Sequence, residues 1–484
     1  MSQWTMEDIA SLSISDVSDD EMDTIRDLIK VWQDRLSRNL RRAQYYDGEQ
    51  AFKDLGLTLP PQLKNAKFYL GWANMAVRKT AIRSQFDGLR LPGEDDPFDL
   101  SEVLDQNSFG LEFSQSVVSG YKHGVSFVTV AHGLPGEPEV QIQAHEASSA
   151  AALWDYRNRR VSAGITISEL DKRGPSAFVA HLPHVVLVCE KNSAGRWAAE
   201  RIDNRIGRAL MVPVTYDPQT NKPFGRSRIT NPVMSLTDMA VRAYVRMESN
   251  AEFYSSPQVA IMGIDPEAFD NVSEQKKFQL AVDRLIALTR DADGEAPALK
   301  QLQQATMTPH SDMLRTVAMA FSGETGIPPS SLGIIHDQPS SAEAIHAAEH
   351  DLLIDVQYQN KYVLSTAIKQ IAQYAVMVRD GLTEPPAETY RLSASFLDPE
   401  FPSMASRADG AVKLASIPGL ADSTVVLEGI FDEDQIDRIR SDQRRSTVSS
   451  FMDRISQLPG PTSERARNAA EAGVMNDDDS VQSH

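Results

Sequence analysis

Thr325-Gly326-Ile327-Pro328-Pro329-Ser330-Ser331-Leu332-Gly333, followed by Ser340-Ser341-Ala342-Glu343-Ala344-Ile345, is the stretch that decides how this chain is built. Glycine tolerates the left-handed backbone on which helices end, and a proline pair cannot continue one. The break therefore closes a helix predicted over 311–325. Ser340 and Glu343 have capping-box spacing and open another helix, which runs to Arg379. At about 1.5 Å per residue it is on the order of 55 Å long, beyond what one compact domain needs. A proline-bounded loop separates the two.

Upstream, Asn231-Pro232 supplies an N-cap and a first-turn proline. They open a helix predicted to Ser255, with Val233, Leu236, Ala240, Tyr244, Met247, Ala251 and Tyr254 as its apolar stripe. Strands are predicted over 257–262 and 298–303. Between them lie a helix over 266–288 and an acidic loop over 291–295. The N-terminal part opens with a helix over 19–46, signalled by Ser18 and Glu21 and by Met22, Ile25, Ile29, Trp32, Leu36 and Ala43 at helical intervals. Arg35, Arg38, Arg41 and Arg42 load its C-terminal half, where cations suit the helix dipole. Further helices are expected over 68–84 and 111–123. From Val125 to Tyr216 short apolar runs alternate with turn residues, the pattern of a small antiparallel meander and not of βαβ units. The fold class is α+β, mainly α-helical. Shorter amphipathic pieces follow over 401–457, including 432–445, and the polar tail over 458–484 is expected to be disordered.

Composition narrows the function. Lys and Arg total 48 against 67 Asp and Glu, a net charge of −19, which argues against tight nucleic-acid binding through clustered cations. No apolar run reaches the roughly 18 residues of a membrane span. The N-terminus has neither the basic nor the apolar region of a signal peptide, so synthesis in the cytoplasm is expected. A single cysteine, Cys189, excludes an internal disulfide and reads as a small buried hydrophobe.

Catalytic patterns are nearly absent. The chain has no G-x-x-x-x-G-K-[ST], no G-x-G-x-x-G after a strand and no G-x-S-x-G. His346-Ala347-Ala348-Glu349-His350 fits the H-x-x-E-H pattern, in which two histidines share a helix face and a glutamate acts as base. It supports one alternative, a zinc-dependent hydrolase using His346, Glu349 and His350. Against it, the helix starts at a surface loop and no third-ligand motif follows. Arg226 and Arg228 could touch phosphate, though a salt-bridged junction ahead of a helix is the commoner role for such a pair. No catalytic residue, metal or cofactor is expected.

Several stretches resemble the portal proteins of tailed phages, in particular the siphophage portals of actinobacterial viruses. Tyr45-Tyr46-Asp47-Gly48 closes the first helix as portal N-terminal helices close. Gly120-Tyr121-Lys122-His123-Gly124-Val125-Ser126-Phe127-Val128 resembles the family's helix-to-strand entry, and Ala251-Glu252-Phe253-Tyr254-Ser255-Ser256-Pro257-Gln258 the end of its first stem helix. The break at Thr325–Gly333 with Ser340–Ile345 resembles the segment around its tunnel loop, and is the most specific match. Together these cover about residues 20–400.

The resemblance implies a portal fold with wing, stem, clip and crown, assembling as a ring of about twelve subunits. It places the wing at 1–228 and 341–400, stem helices at 229–255 and 308–329, the clip at 256–307, the tunnel loop at 330–340 and the crown at 401–457. Ile334, Ile335, His336, Asp337 and Gln338 would then face a DNA channel. The implied partners are dsDNA passing non-specifically, the terminase large subunit, a head-to-tail adaptor protein, and the major capsid protein with its scaffold; no membrane is involved. The implied location is the portal vertex of the virion, with the host cytoplasm during assembly. Another virion structural protein, a capsid or adaptor subunit, is the second alternative.

Overall fold

The computed structural model describes residues 4–50, 68–94, 96–171, 174–255, 259–262, 298–301, 306–334 and 342–400, and short pieces between 409 and 441. Met1–Glu400 and Phe401–His484 are two separate compact units. In the second unit the described residues include a helical stretch at 412–414 and a buried Ile436. The amphipathic pieces expected over 432–445 lie mostly outside the described residues, and the tail over 458–484 wholly so.

The first unit opens with a short helix α1 (Met6–Ala10) and a two-residue strand β1 (Ile14–Ser15), then the long helix α2 (Asp19–Tyr46) at its predicted bounds. The Ser18 N–H donates to Glu21 Oε2 at 2.9 Å, which satisfies one of the first-turn donors. Met22, Ile25, Leu28, Ile29, Trp32 and Leu36 are buried. They pack on a sheet formed by β5 (Ala150–Asp155), β6 (Arg160–Asp171), β7 (Gly174–His181), β8 (Val185–Lys191) and β9 (Trp197–Asp203). Trp32 Nε1 and Asn39 Nδ2 donate to the carbonyls of Ser148 and Ala147, so the helix is pinned by directional bonds as well as by burial. The arginines do not serve the helix dipole as expected. The last turn of α2 holds no basic residue, and a dipole acts only within a terminal turn.

The meander is real but divided. Strands β5 to β9 pair antiparallel in sequence order, with β1 added parallel to β9. In contrast, β3 (Val125–His132) and β4 (Val140–Glu146) leave the meander and form a second sheet with β10 (Met211–Thr215). Side chains cap the outer edge of β4: Asn107 Oδ1 accepts from Ile142 N and Glu112 Oε2 from Ala144 N. An edge closed in this way cannot recruit another strand. Cys189 is fully buried, as expected, and burial pushes its thiol up to about 12.

Helix α5 (Phe109–His123) packs on the second sheet, and α3 (Trp72–Ala81) and α4 (Leu100–Gln106) pack on α5, with β2 (Phe86–Arg90) between them in the chain. A Cβ at Gly120 would lie 2.8 Å from the Val214 carbonyl, so glycine is what lets α5 approach β10.

Helix α6 (Asn231–Ser255) leads away, and α7 (Thr308–Thr325) returns beside it. Their contacts run in opposite order: Thr230 with Glu324, Arg246 with Met313, Asn250 with His310, an antiparallel pair. Beyond α6, β11 (Val259–Met262) and β12 (Ala298–Gln301) pair antiparallel, as the two predicted strands allow. The helix expected over 266–288 and the acidic loop over 291–295 lie outside the described residues.

Two details of α6 correct the sequence reading. Thr230, not Asn231, is the cap: its Oγ1 accepts from Val233 N at 3.3 Å. The buried face also runs through Val233, Thr237, Ala240, Val241, Ala243 and Val245, while Tyr244 and Ala251 are exposed. The small Ala240 and Ala243 allow close approach to neighbouring helices, which the larger Tyr244 would prevent.

Gly326 ends α7 at φ +72°, as the sequence requires. The last long element is helical throughout but not uniformly α. Helix α8 (Ala342–Tyr358) passes through a π-helical segment (Gln359–Leu364) into α9 (Ser365–Asp380), and β13 (Ser393–Phe396) then pairs with β2. Ser340 lies outside the described residues, as do the side chains of 342–346.

Candidate functional site

Arg228 occupies the point where these elements meet. Gly225, at φ +67°, brings the chain against Tyr216, whose carbonyl would lie 2.3 Å from any Cβ there. The Arg226 N–H donates to that carbonyl at 2.8 Å, and the Arg228 N–H to the carbonyl of Tyr121 at 2.9 Å. The side chain of Arg228 is thereby aimed inward and is only 7% exposed.

Its guanidinium makes four hydrogen bonds, each 2.6 Å long. Nε donates to the Ala76 carbonyl of α3, and Nη2 to the Thr325 carbonyl at the end of α7. Nη1 donates to the Tyr216 hydroxyl and to Asp355 Oδ2 of α8. The group also lies 5.1 Å from the centre of the Tyr216 ring, a cation–π distance. Tyr216 in turn donates to Asp355 Oδ2 at 2.9 Å, and its ring sits 4.7 Å from that of Tyr121. Burial holds the hydroxyls of Tyr121 and Tyr216 well above the ordinary tyrosine range, so both remain proton donors.

The chemistry follows from geometry. A planar guanidinium with five donors can fasten several elements at once, which a lysine cannot. One donor meets a C-terminal helix carbonyl, a group with no intrahelical partner and the negative end of the helix dipole. The arrangement ties α3, α7 and α8 to the loop before α6 and has no group poised to attack a substrate. The expected salt-bridged junction is therefore met by Arg228 and not by Arg226, which is exposed and 3.9 Å from Asp217. Around it, the Trp72 and Phe321 rings lie 5.0 Å apart and join α3 to α7 in the core.

The other sequence candidates are placed differently. Glu349 accepts an ion pair from Arg83 at 2.8 Å, bracing α8 against the segment after α3, and His350 is exposed. The side chain of His346 lies outside the described residues. Among the described residues no three metal-ligating side chains come together. Of the five proposed channel residues, Ile334 is partly buried against the main core, while Ile335, His336, Asp337 and Gln338 lie outside the described residues. Asp355, Tyr216 and the Thr325 carbonyl escaped the sequence reading. One signal was available: Asp355 is an acid set inside the apolar run Leu352-Leu353-Ile354-Asp355-Val356. Among the described residues no helix is long and apolar enough to cross a membrane.

Comparison with known proteins adds the following. A family model described as "Phage portal protein, SPP1 Gp6-like" matches residues 25–448. The portal protein of Mycobacterium phage L5 is 27% identical over 401 residues, covering 80% of this chain and 81% of its own length. That of Mycobacterium phage D29 is 27% identical over 400 residues, with the same coverage. Among solved structures, a chain of the virion of a native gene transfer agent particle has a TM-score of 0.41 at 14% identity, over 81% of this chain and 94% of that one. A chain from the neck of the native particle, computed with C12 symmetry, gives 0.41 and 14% over 81% and 99%.

Proposed function

This chain belongs to the phage portal proteins of the SPP1 Gp6-like type, structural components of the virion's head–tail connector, and from that premise we propose how it works. About twelve copies close into a ring at one capsid vertex. DNA enters the head through the ring during packaging and leaves through it on ejection. The same ring docks the terminase large subunit and later the head-to-tail adaptor, and meets capsid protein and scaffold as the head assembles in the host cytoplasm. The protein acts as a conduit and not as an enzyme.

The observation that carries this reading is the Arg228 junction at the root of the antiparallel α6–α7 pair. A helix pair that leaves the body, ends on the β11–β12 ribbon and returns to a buried ionic clamp suits a stem that must bear load without bending at its base. In this assignment 229–255 and 308–329 are stem and 256–307 is clip. The wing is 1–228 with 341–400, and the crown is 401–457. The segment 330–340 is the channel loop. It is rooted through the packed Ile334 and presents Ile335, His336, Asp337 and Gln338 to DNA. It contains no Lys or Arg, and a net charge of −19 keeps phosphate contacts weak enough for DNA to slide.

Electron microscopy of the purified chain tests the proposal. The expected image is a ring of about twelve-fold symmetry with a central hole, with residues 330–340 lining it. A monomer, a closed shell, or a map with that segment on the outer rim would overturn the reading.

A further inference from the structure

A cavity of about 430 Å3 opens between the end of α2, helix α3, helix α5 and strand β4, and it shares no residue with the Arg228 junction. Its volume is that of a small-ligand site. Tyr46, Ile82, Val118 and Ala144 supply its apolar surface. Ile82 closes α3, a helix packed in the main core, yet is itself 49% exposed.

Most of its polar groups are already engaged. Glu146 is the only acid among the lining residues. Its Oε1 accepts from Lys122 and, at 2.8 Å, from His123 Nε2, and its Oε2 accepts from Ser148 Oγ at 2.9 Å. Lys122 is held by that carboxylate and by the Tyr46 ring, whose centre lies 5.2 Å from its Nζ. Burial lowers His145 to about 4, so its ring is neutral near pH 7. Ser116 Oγ lies 2.7 Å from Ser126 Oγ, and Ser114 and Gln115 are exposed. Arg78 and Ser119 are left. Arg78, in the last turn of α3, is exposed, and no carboxylate pairs with it among the described residues. The Ser119 hydroxyl is buried with no hydrogen-bond partner among the described residues, a costly state for a polar group.

What the cavity offers is one free guanidinium, one free hydroxyl, an aromatic ring and aliphatic groups. A guanidinium pairs with a carboxylate through two parallel hydrogen bonds. A single unpaired cation matches the one negative charge of a carboxylate better than the two of a phosphate monoester. Lys122 and His123 already neutralise Glu146, so no free acid among the lining residues repels such a group. The volume is more than a bare anion fills, and the apolar groups favour a body that buries against them. We propose that this cavity binds a carboxylate carried on an aromatic or aliphatic body. Arg78 takes the charged head, Ser119 donates to it, and Tyr46, Ile82 and Val118 receive the body. A free organic acid and the C-terminal residue of a partner chain both present that chemistry. The site stands independently of the ring reading above.

The test is a ligand-observed NMR titration of the full-length protein with four probes: phenylacetate, phenylacetamide, and the peptide acetyl-Gly-Gly-Phe ending in a free carboxylate or in an amide. For a body of this size the expected Kd of phenylacetate is roughly 1–10 mM. Phenylacetamide is expected to bind at least about tenfold more weakly, and phenylacetate to lose the same factor on Arg78→Gln protein. Lys79→Gln removes the neighbouring exposed cation and is expected to leave binding within about twofold of the wild type, since a solvated charge outside the cavity contributes little. Thermal melting checks that both variants fold. Phenylacetate that binds where the peptide acid does not identifies a free acid as the ligand; a peptide acid that binds at least as tightly identifies a partner's C-terminus. Acid and amide bound alike, Arg78→Gln protein that binds like the wild type, an equal loss from Lys79→Gln, or no detectable binding of either acid each overturn the proposal.

Discussion

At the scale of single residues, Arg228 shows how a buried charge becomes structural. Taking a guanidinium out of water costs several kcal/mol, and only complete hydrogen bonding with an opposite charge offsets that. Arg228 has both, through the carbonyls of Ala76 and Thr325 and the carboxylate of Asp355. Replacing it by methionine keeps the bulk but leaves Asp355 without its cation and a helix-end carbonyl without a donor. Arg228→Met is expected to lose about 3–5 kcal/mol of unfolding free energy, read from urea denaturation. A loss under about 1 kcal/mol would mean that the junction is incidental to stability. Cys189 is the opposite case, a residue whose only role is packing.

At the scale of elements, the long helix is the most informative. Its π-helical segment turns Gln359 and Asn360 into the core, where Gln359 Oε1 and Asn360 Oδ1 are buried with no hydrogen-bond partner among the described residues. Unpartnered buried acceptors are costly, and π segments of this kind are frequent at functional positions. The Tyr358 and Tyr362 rings, both exposed, lie 5.3 Å apart with their planes tilted at 49°. Gln359→Met, nearly the same shape without the amide, is expected to stabilise the chain by about 1 kcal/mol, seen as a higher urea midpoint at unchanged slope. Destabilisation by the same amount would show that the amide is satisfied in the folded protein. A straight-chain residue gives no local sign of a π turn, so the sequence predicted one uniform helix there.

At the scale of the whole molecule, two partly buried histidines contribute to the response to pH. His145 lies near Thr129 at 2.8 Å and His181 near Thr166 at 3.3 Å. Burial lowers His145 to about 4; burial and then the charge of His145 lower His181 to about 3. Unfolded histidine titrates near 6.5, so the unfolded chain takes up protons that the folded chain refuses. Their contribution to stability is complete above pH 6.5 and is lost progressively as pH falls toward 4 and then 3. Melting temperature is expected to fall steadily over that range. In a His145→Gln/His181→Gln variant the slope between pH 6.5 and 4.5 should flatten, and an identical slope would assign the acid sensitivity to other groups.

What the sequence determined by itself is local. The cap at Ser18, the stop at Gly326, the alternation of short strands and the apolar spacing of α2 are written in residues a few positions apart, where backbone sterics and helical periodicity act. Portal membership was likewise legible, because it is carried by contiguous stretches such as 325–333. The tertiary structure alone decided which strands share a sheet, why β3 leaves the meander for β10, and which face of α6 is buried. It also decided that Arg228 meets Ala76, Thr325 and Asp355, partners 152, 97 and 127 positions away. Contacts at such separations depend on the whole chain closing at once, and no single segment records them.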